Sequence, residues 1–124
     1  MKQLFFAATL LVVVGFYSCT KDKTGQPDTT DCTVVDAATN TYDLKIKTIM
    51  DDNCAFSCCH NAGTARAGVV LDSYAATKSA VENKDVLCAI RHANGCEPMP
   101  SPSDKLADSL ITFIACWKNN GCPQ

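Results

Sequence analysis

Cys54-Ala55-Phe56-Ser57-Cys58-Cys59-His60 is the stretch on which the reading of this chain turns. Upstream of it, Tyr42, Ile46, Ile49 and Met50 recur at i, i+4, i+7 and i+8, the spacing of one helical face, and predict a first helix that runs from Tyr42 to about Asn53 and delivers Cys54 at its end. Downstream, Asn61-Ala62-Gly63 and Ala67-Gly68 mark a loop. Leu71 then precedes Asp72 and Ser73, either of which can cap a helix carrying Tyr74, Lys78 and Val81 on one side. A short third helix is expected over residues 84–91, with Val86, Leu87 and Ile90 inward, ended by Asn94-Gly95. Residues 97–103 cannot be helical, because Pro98, Pro100 and Pro102 remove amide donors and push the residues before them toward extended backbone. The clearest apolar stripe is the last: Leu106, Leu110, Phe113, Ile114 and Trp117, closed by Asn119-Asn120-Gly121. With no internal repeat and no strand-like alternation, the fold class expected is all-α, with three to four short helices.

The chemistry of the opening stretch follows from its donor types. Covalent haem attachment needs two thiols that add across two vinyl groups, and an imidazole whose nitrogen reaches the iron from one face. The common arrangement is C-x-x-C-H, which here would require a cysteine where Phe56 stands. The chain offers C-x4-C-H instead, with Cys54 and Cys59 as the thioether pair and His60 beside them. Cys58 is a third thiol in the same stretch and a competitor for attachment. The spacing alone is a weak signal.

The ends of the chain place this stretch in a compartment. Lys2 gives the N-terminus a positive head, and residues 4–16 are an uninterrupted run of apolar or small residues. That run is shorter than the roughly 20 apolar residues of a spanning helix and reads as a signal-peptide core. It ends at Tyr17-Ser18-Cys19, which resembles the processing site of bacterial lipoproteins, although Phe16 stands where an aliphatic residue is usual. The expected organisation is a signal peptide over 1–18 with Cys19 lipidated, a flexible tether over 19–41 and a domain over 42–124. The chain is then exported and lipid-anchored to a bacterial membrane, facing the periplasm or the cell surface. Residues 20–41 are rich in Thr, Asp, Lys and Asn, as a tether requires, and Cys32 is placed to pin its far end. Removal of residues 1–18 leaves ten basic against thirteen acidic residues, a balance that argues against nucleic acid as a partner.

Nine cysteines are unusual in a reducing cytosol and natural in an oxidising compartment. Setting aside Cys19 for lipid and two for haem leaves an even number for disulfides, but the arithmetic closes equally well without haem. Cys116 and Cys122 straddle the end of the last helix and are candidates for one bridge.

From Ile49 to its end the chain resembles the small monohaem cytochrome c domains of exported bacterial lipoproteins. The resemblance rests on Asn53-Cys54, Cys59-His60, Leu71 with Tyr74, Met99-Pro100, Lys105-Leu106, and Trp117 ahead of Gly121. It implies a cytochrome c-like fold around one haem c, with His60 as proximal ligand and Met99, of the Met-Pro pair, as the distal one. Met99 suits that role chemically, because a thioether is a soft donor that favours reduced iron and raises the reduction potential. Met50 is a second methionine, but it lies on the apolar face of the first helix and is expected in the core. His92 is the other possible distal ligand, and a bis-histidine haem would have a lower potential. Arg66 and Arg91 are candidates for pairing with haem propionates.

The function implied is one-electron transfer to redox partner proteins, with no substrate cleft and no convergent acid and base, hence not an enzyme. The alternative is a haem-free, disulfide-rich lipoprotein that acts as a binding or surface module; it explains the cysteine density but not the histidine after Cys59 or the position of Met99-Pro100. Zinc binding by clustered thiols is a third reading, weakened by the adjacency of Cys58 and Cys59.

Overall fold

The computed structural model describes residues 29–124. The expected signal peptide over 1–18 and the expected lipidation site Cys19 lie outside the described residues. Within them all regular structure is helical, in keeping with the all-α expectation.

The first helix is expected as one piece and is built in two. A π-helical turn over Tyr42–Ile46 runs directly into α1, Lys47–Asn53. The wide turn is visible in the amide of Ile46, which donates to the carbonyl of Thr41 at 3.1 Å, five residues back. The Thr41 hydroxyl accepts from the Leu44 amide and so caps the start. Tyr42, Ile46, Ile49 and Met50 are all buried, so the predicted face is the inward one despite the change of pitch. Lys47 pairs with Asp51 one turn on, an exposed pair of small energetic weight.

Next comes α2, Tyr74–Asn83. Neither expected cap operates here: Ser73 makes no side-chain cap bond, and the Asp72 carboxylate instead accepts from the amide of Ala62 across the preceding loop. The buried residues of α2 are Thr77, Ala80 and Val81, while Lys78 reaches back to the carbonyl of Gly121. The third helix, α3, is Val86–Ile90, shorter than the 84–91 expected because Lys84 is in extended backbone and ends α2 instead. Its three predicted inward residues, Val86, Leu87 and Ile90, are buried.

The last helix, α4, is Asp108–Asn119. Leu106 is buried but precedes it, and Ile111, Ile114, Ala115, Cys116 and Trp117 carry its inner face. The Asn-Asn-Gly stop works as read. Gly121 takes φ +79°, a left-handed value that glycine adopts without penalty, and the Cys122 amide returns to the carbonyl of Trp117 at 2.9 Å.

That turn carries the chain back under the core. The carbonyl of Pro123 accepts from the Trp117 indole at 2.7 Å and from the Tyr42 amide at 2.9 Å, and the carbonyl of Cys122 accepts from the Tyr74 hydroxyl at 2.9 Å. Around them Tyr42 meets Tyr74 edge-on, ring centroids 5.4 Å apart, and lies 6.1 Å from Trp117. Three polar donors are thus satisfied where Tyr42 and Trp117 are buried and Tyr74 packs half-buried against them.

Two disulfides bind this framework. Cys32–Cys116 ties the far end of the segment read as a tether to the middle of α4, and the neighbouring Asn40 is buried, its side-chain amide donating to the carbonyl of Phe113 at 3.0 Å. Cys88–Cys96 closes a short loop after α3. The candidate bridge Cys116–Cys122 is therefore not formed. Cys116 is taken by Cys32, and the left-handed residue that turns the chain after α4 leaves Cys122 as a buried free thiol.

Two outcomes follow from this arrangement. Replacing Cys32 and Cys116 together by Ala removes a cross-link over 84 residues and should cost about 4 kcal/mol by the loop-entropy argument, read from the denaturant midpoint. Burial pushes the Cys122 thiol up to about 11, from an ordinary value of 9.0. The unfolded chain therefore releases this proton first, and stability should fall as pH rises from about 9 to 11, a slope that Cys122→Ala should flatten in pH-dependent melting.

Candidate functional site

The end of α1 sets the site. The amides of Cys54 and Ala55 both donate to the carbonyl of Met50 at 2.8 Å, which stops the helix and turns the attachment stretch away from it. That stretch is wound on local bonds: the Cys59 amide to the Phe56 carbonyl at 3.1 Å, the His60 amide to the Cys54 carbonyl at 3.2 Å, and the Cys58 amide to the Thr64 hydroxyl at 3.1 Å. Cys58 takes φ +75°, a left-handed value.

His60 is fixed on three sides. Its amide is held by Cys54, its carbonyl accepts from the Leu71 amide at 2.7 Å, and its ring Nδ1 lies 3.2 Å from the carbonyl of Val69. A carbonyl can only accept, so Nδ1 is the donor of this bond, and in the neutral ring the lone pair lies on Nε2. This is the arrangement that orients a metal-ligating imidazole. The loop that supplies Val69 is itself shaped by a single 3₁₀ turn at Arg66–Gly68, and by the Arg66 amide donating to the carbonyl of Cys59 at 3.1 Å.

Cys54, Cys59, His60 and Met99 all line one cleft of about 830 Å³. Its volume is in the range of sites that enclose a sizeable organic ligand. The apolar lining comes from Met50, Val69, Leu71, Val86, Ile90 and Leu106, so the cleft is an opening in the hydrophobic core rather than a surface groove. The polar rim is of mixed charge, with Arg66, Lys84 and Lys105, the last paired with Asp108 at 2.7 Å, beside Asp52, Asp85, Glu97 and Asp104. Phe56 lies at the mouth, half exposed.

Met99 reaches the cleft from a different part of the chain. It follows the Cys88–Cys96 loop, its amide donates to the carbonyl of Ala89 at 3.1 Å, and the residue is partly buried against the core. Met50 is fully buried in the core, as its place on the helical face suggests, and its side forms part of the cleft lining.

The remaining candidates separate clearly. Cys58 is exposed and does not line the cleft, whereas Cys54 and Cys59 do. Burial, and then the neighbouring Cys59, push the Cys54 thiol up to about 11, so it remains protonated at neutral pH. His92 is exposed and outside the lining; its Nε2 lies 3.1 Å from the carbonyl of Met99. Of the two arginines considered for propionates, Arg66 lines the cleft, whereas Arg91 turns its guanidinium to the Thr30 hydroxyl at 2.7 Å. Among the described residues no group of three or more His, Cys, Asp or Glu side chains is arranged to hold a metal ion.

The partners that sequence reasoning misses are the backbone carbonyls of Val69 and Ala89 and the carboxylate of Asp72. Carbonyls carry no side-chain signature, and Asp72 reads as a helix cap until the loop before it is folded. No family model, curated protein or solved structure matches the chain significantly.

The geometry separates the thiols by experiment. If the cleft takes a group bonded through its own two cysteines, Cys58→Ser should leave both thioethers in place, while Cys54→Ser and Cys59→Ser should each leave one; mass spectrometry of the denatured chain reads the difference.

Proposed function

We propose that this chain is a one-electron carrier holding one haem c, attached through Cys54 and Cys59, with His60 and Met99 as axial ligands. The observation that carries the reading is the donor set of a single cleft: two thiols and an imidazole from one loop, and a thioether from another, line the same opening. The residues fit the group. The lone pair on His60 Nε2 is left available by the bond from Nδ1 to Val69, and no other methionine thioether lines the cleft apart from Met50, which belongs to the floor.

Haem c, when bound, would supply a one-electron ferric–ferrous couple. The protein's own contribution is to hold both axial donors and to exclude water. The Val69 carbonyl keeps the His60 ring in one tautomer and raises its basicity. The apolar lining lowers the dielectric, and a thioether donor together with that lining favours the reduced state. Arg66 and Lys84 on the rim are suited to carboxylates at the edge of the group. Phe56 at the mouth offers an apolar contact for a redox partner.

With His60 and Met99 both available to hold the iron, no position would be left open for a substrate, which would suit electron transfer rather than catalysis. The disulfides are in keeping with an oxidising compartment and with an exported protein anchored to the membrane through lipid on Cys19. The same two disulfides are the feature that favours the other reading, a haem-free binding or surface module.

Expression in a host that matures cytochromes decides between them. The expected result is haem that stays with the polypeptide after denaturation; a colourless chain would leave the haem-free module. In the haem-loaded protein, Met99→Ala should abolish the sulfur-to-iron charge-transfer absorption of the oxidised form and lower the reduction potential, with His60→Ala preventing a stable six-coordinate spectrum altogether.

A further inference from the structure

His92 has a backbone that needs explaining. It follows the end of α3 with φ +53°, a left-handed conformation that costs a residue with a Cβ about 1–2 kcal/mol. The turn is locked by its neighbours: the His92 amide donates to the carbonyl of Ala89 at 3.1 Å, the Ala93 amide to the carbonyl of Cys88 at 3.1 Å, and Cys88 is bridged to Cys96. The result of this unfavourable backbone is that the imidazole swings over the following segment, and Nε2 comes to 3.1 Å from the carbonyl of Met99. Since that oxygen only accepts, Nε2 is the protonated nitrogen of this bond. The Met99 amide is meanwhile bound to the carbonyl of Ala89, the same oxygen that accepts from His92. Both polar groups of the Met99 backbone are therefore anchored to one disulfide-closed turn.

The geometry points to His92 as a positioning residue: it is not a ligand but a donor that holds the backbone of Met99 so that its thioether stays in the cleft. The inference rests on the reading of Met99 as the distal donor. A glycine would meet the backbone requirement at lower cost, and a histidine at this place adds what glycine lacks, a side-chain N–H that reaches the next loop. Because the ring is exposed, water competes for the bond and its net weight is that of one ordinary hydrogen bond.

The test uses His92→Ala, His92→Gly and His92→Gln in the full chain. Glycine relieves the backbone but removes the donor; glutamine keeps an N–H donor. Two readouts are followed: hydrogen exchange of the Met99 amide in haem-free protein, and the sulfur-to-iron charge-transfer absorption in the haem-loaded ferric form. Met99 exchange should rise about three- to tenfold in the alanine and glycine variants and stay near wild type in glutamine. The absorption should weaken in the first two and persist in the third. Unchanged Met99 exchange in both the alanine and glycine variants overturns the role of His92, as does a glycine variant tighter than wild type, which would make backbone strain the whole effect. If exchange responds as expected while the wild-type chain never acquires haem, His92 still holds the Met99 backbone and it is the reading of Met99 as an iron ligand that falls.

Discussion

Two backbone oxygens, those of Cys122 and Pro123, carry the architecture. They collect the Tyr42 amide, the Tyr74 hydroxyl and the Trp117 indole from three separate elements. Burying an unpaired polar tip is costly, so Tyr74 and Trp117 can pack here only if the C-terminal turn delivers acceptors to their hydroxyl and indole, while Tyr42 is joined to the same turn through its backbone amide. Gly121 and the left-handed Cys122 make that delivery possible. The start of the first helix, the start of α2 and the end of α4 are thus fixed relative to one another at one point, and short helices that would be marginal alone gain their order from it.

With one end of the core closed in this way, the other end is left open, and that opening is the cleft. Its two donor walls are held by different means. His60 sits in a loop stabilised by backbone bonds to Cys54, Val69 and Leu71, with no disulfide. Met99 sits on a segment that is anchored to the turn closed by Cys88–Cys96. The bonds that shape each wall are thus local to it. This is the physical sense in which the site is preorganised.

How much of this could be read in advance varies by feature. The helical faces were legible because burial imposes a period: Tyr42, Ile46, Ile49 and Met50, and again Ile114 and Trp117, are inward as the spacing requires. The glycine stop after α4 was legible because only backbone geometry decides it. The caps of α2 were not, since Asp72 has a competing partner in Ala62 that no local rule exposes. The pairing of Cys116 was not, since proximity in sequence favoured Cys122 while the fold brings Cys32 alongside. For the candidate site, residues 54, 59, 60 and 99 were singled out by their chemistry, but the cleft they share, the carbonyl behind His60 and the contact of His92 with the Met99 carbonyl depend on loops, whose conformations follow no sequence period.

The two disulfides also give the protein a history. Cys88 and Cys96 are 8 residues apart, whereas Cys32 and Cys116 are 84 apart. Bringing the distant pair together costs about 2 kcal/mol more in loop entropy than the near pair, and it needs α4 already in place beside the N-terminal segment. The loop that carries Met99 can therefore be closed on local structure alone, independently of the long bridge. The long bridge acts as a final latch on a domain that has folded around it.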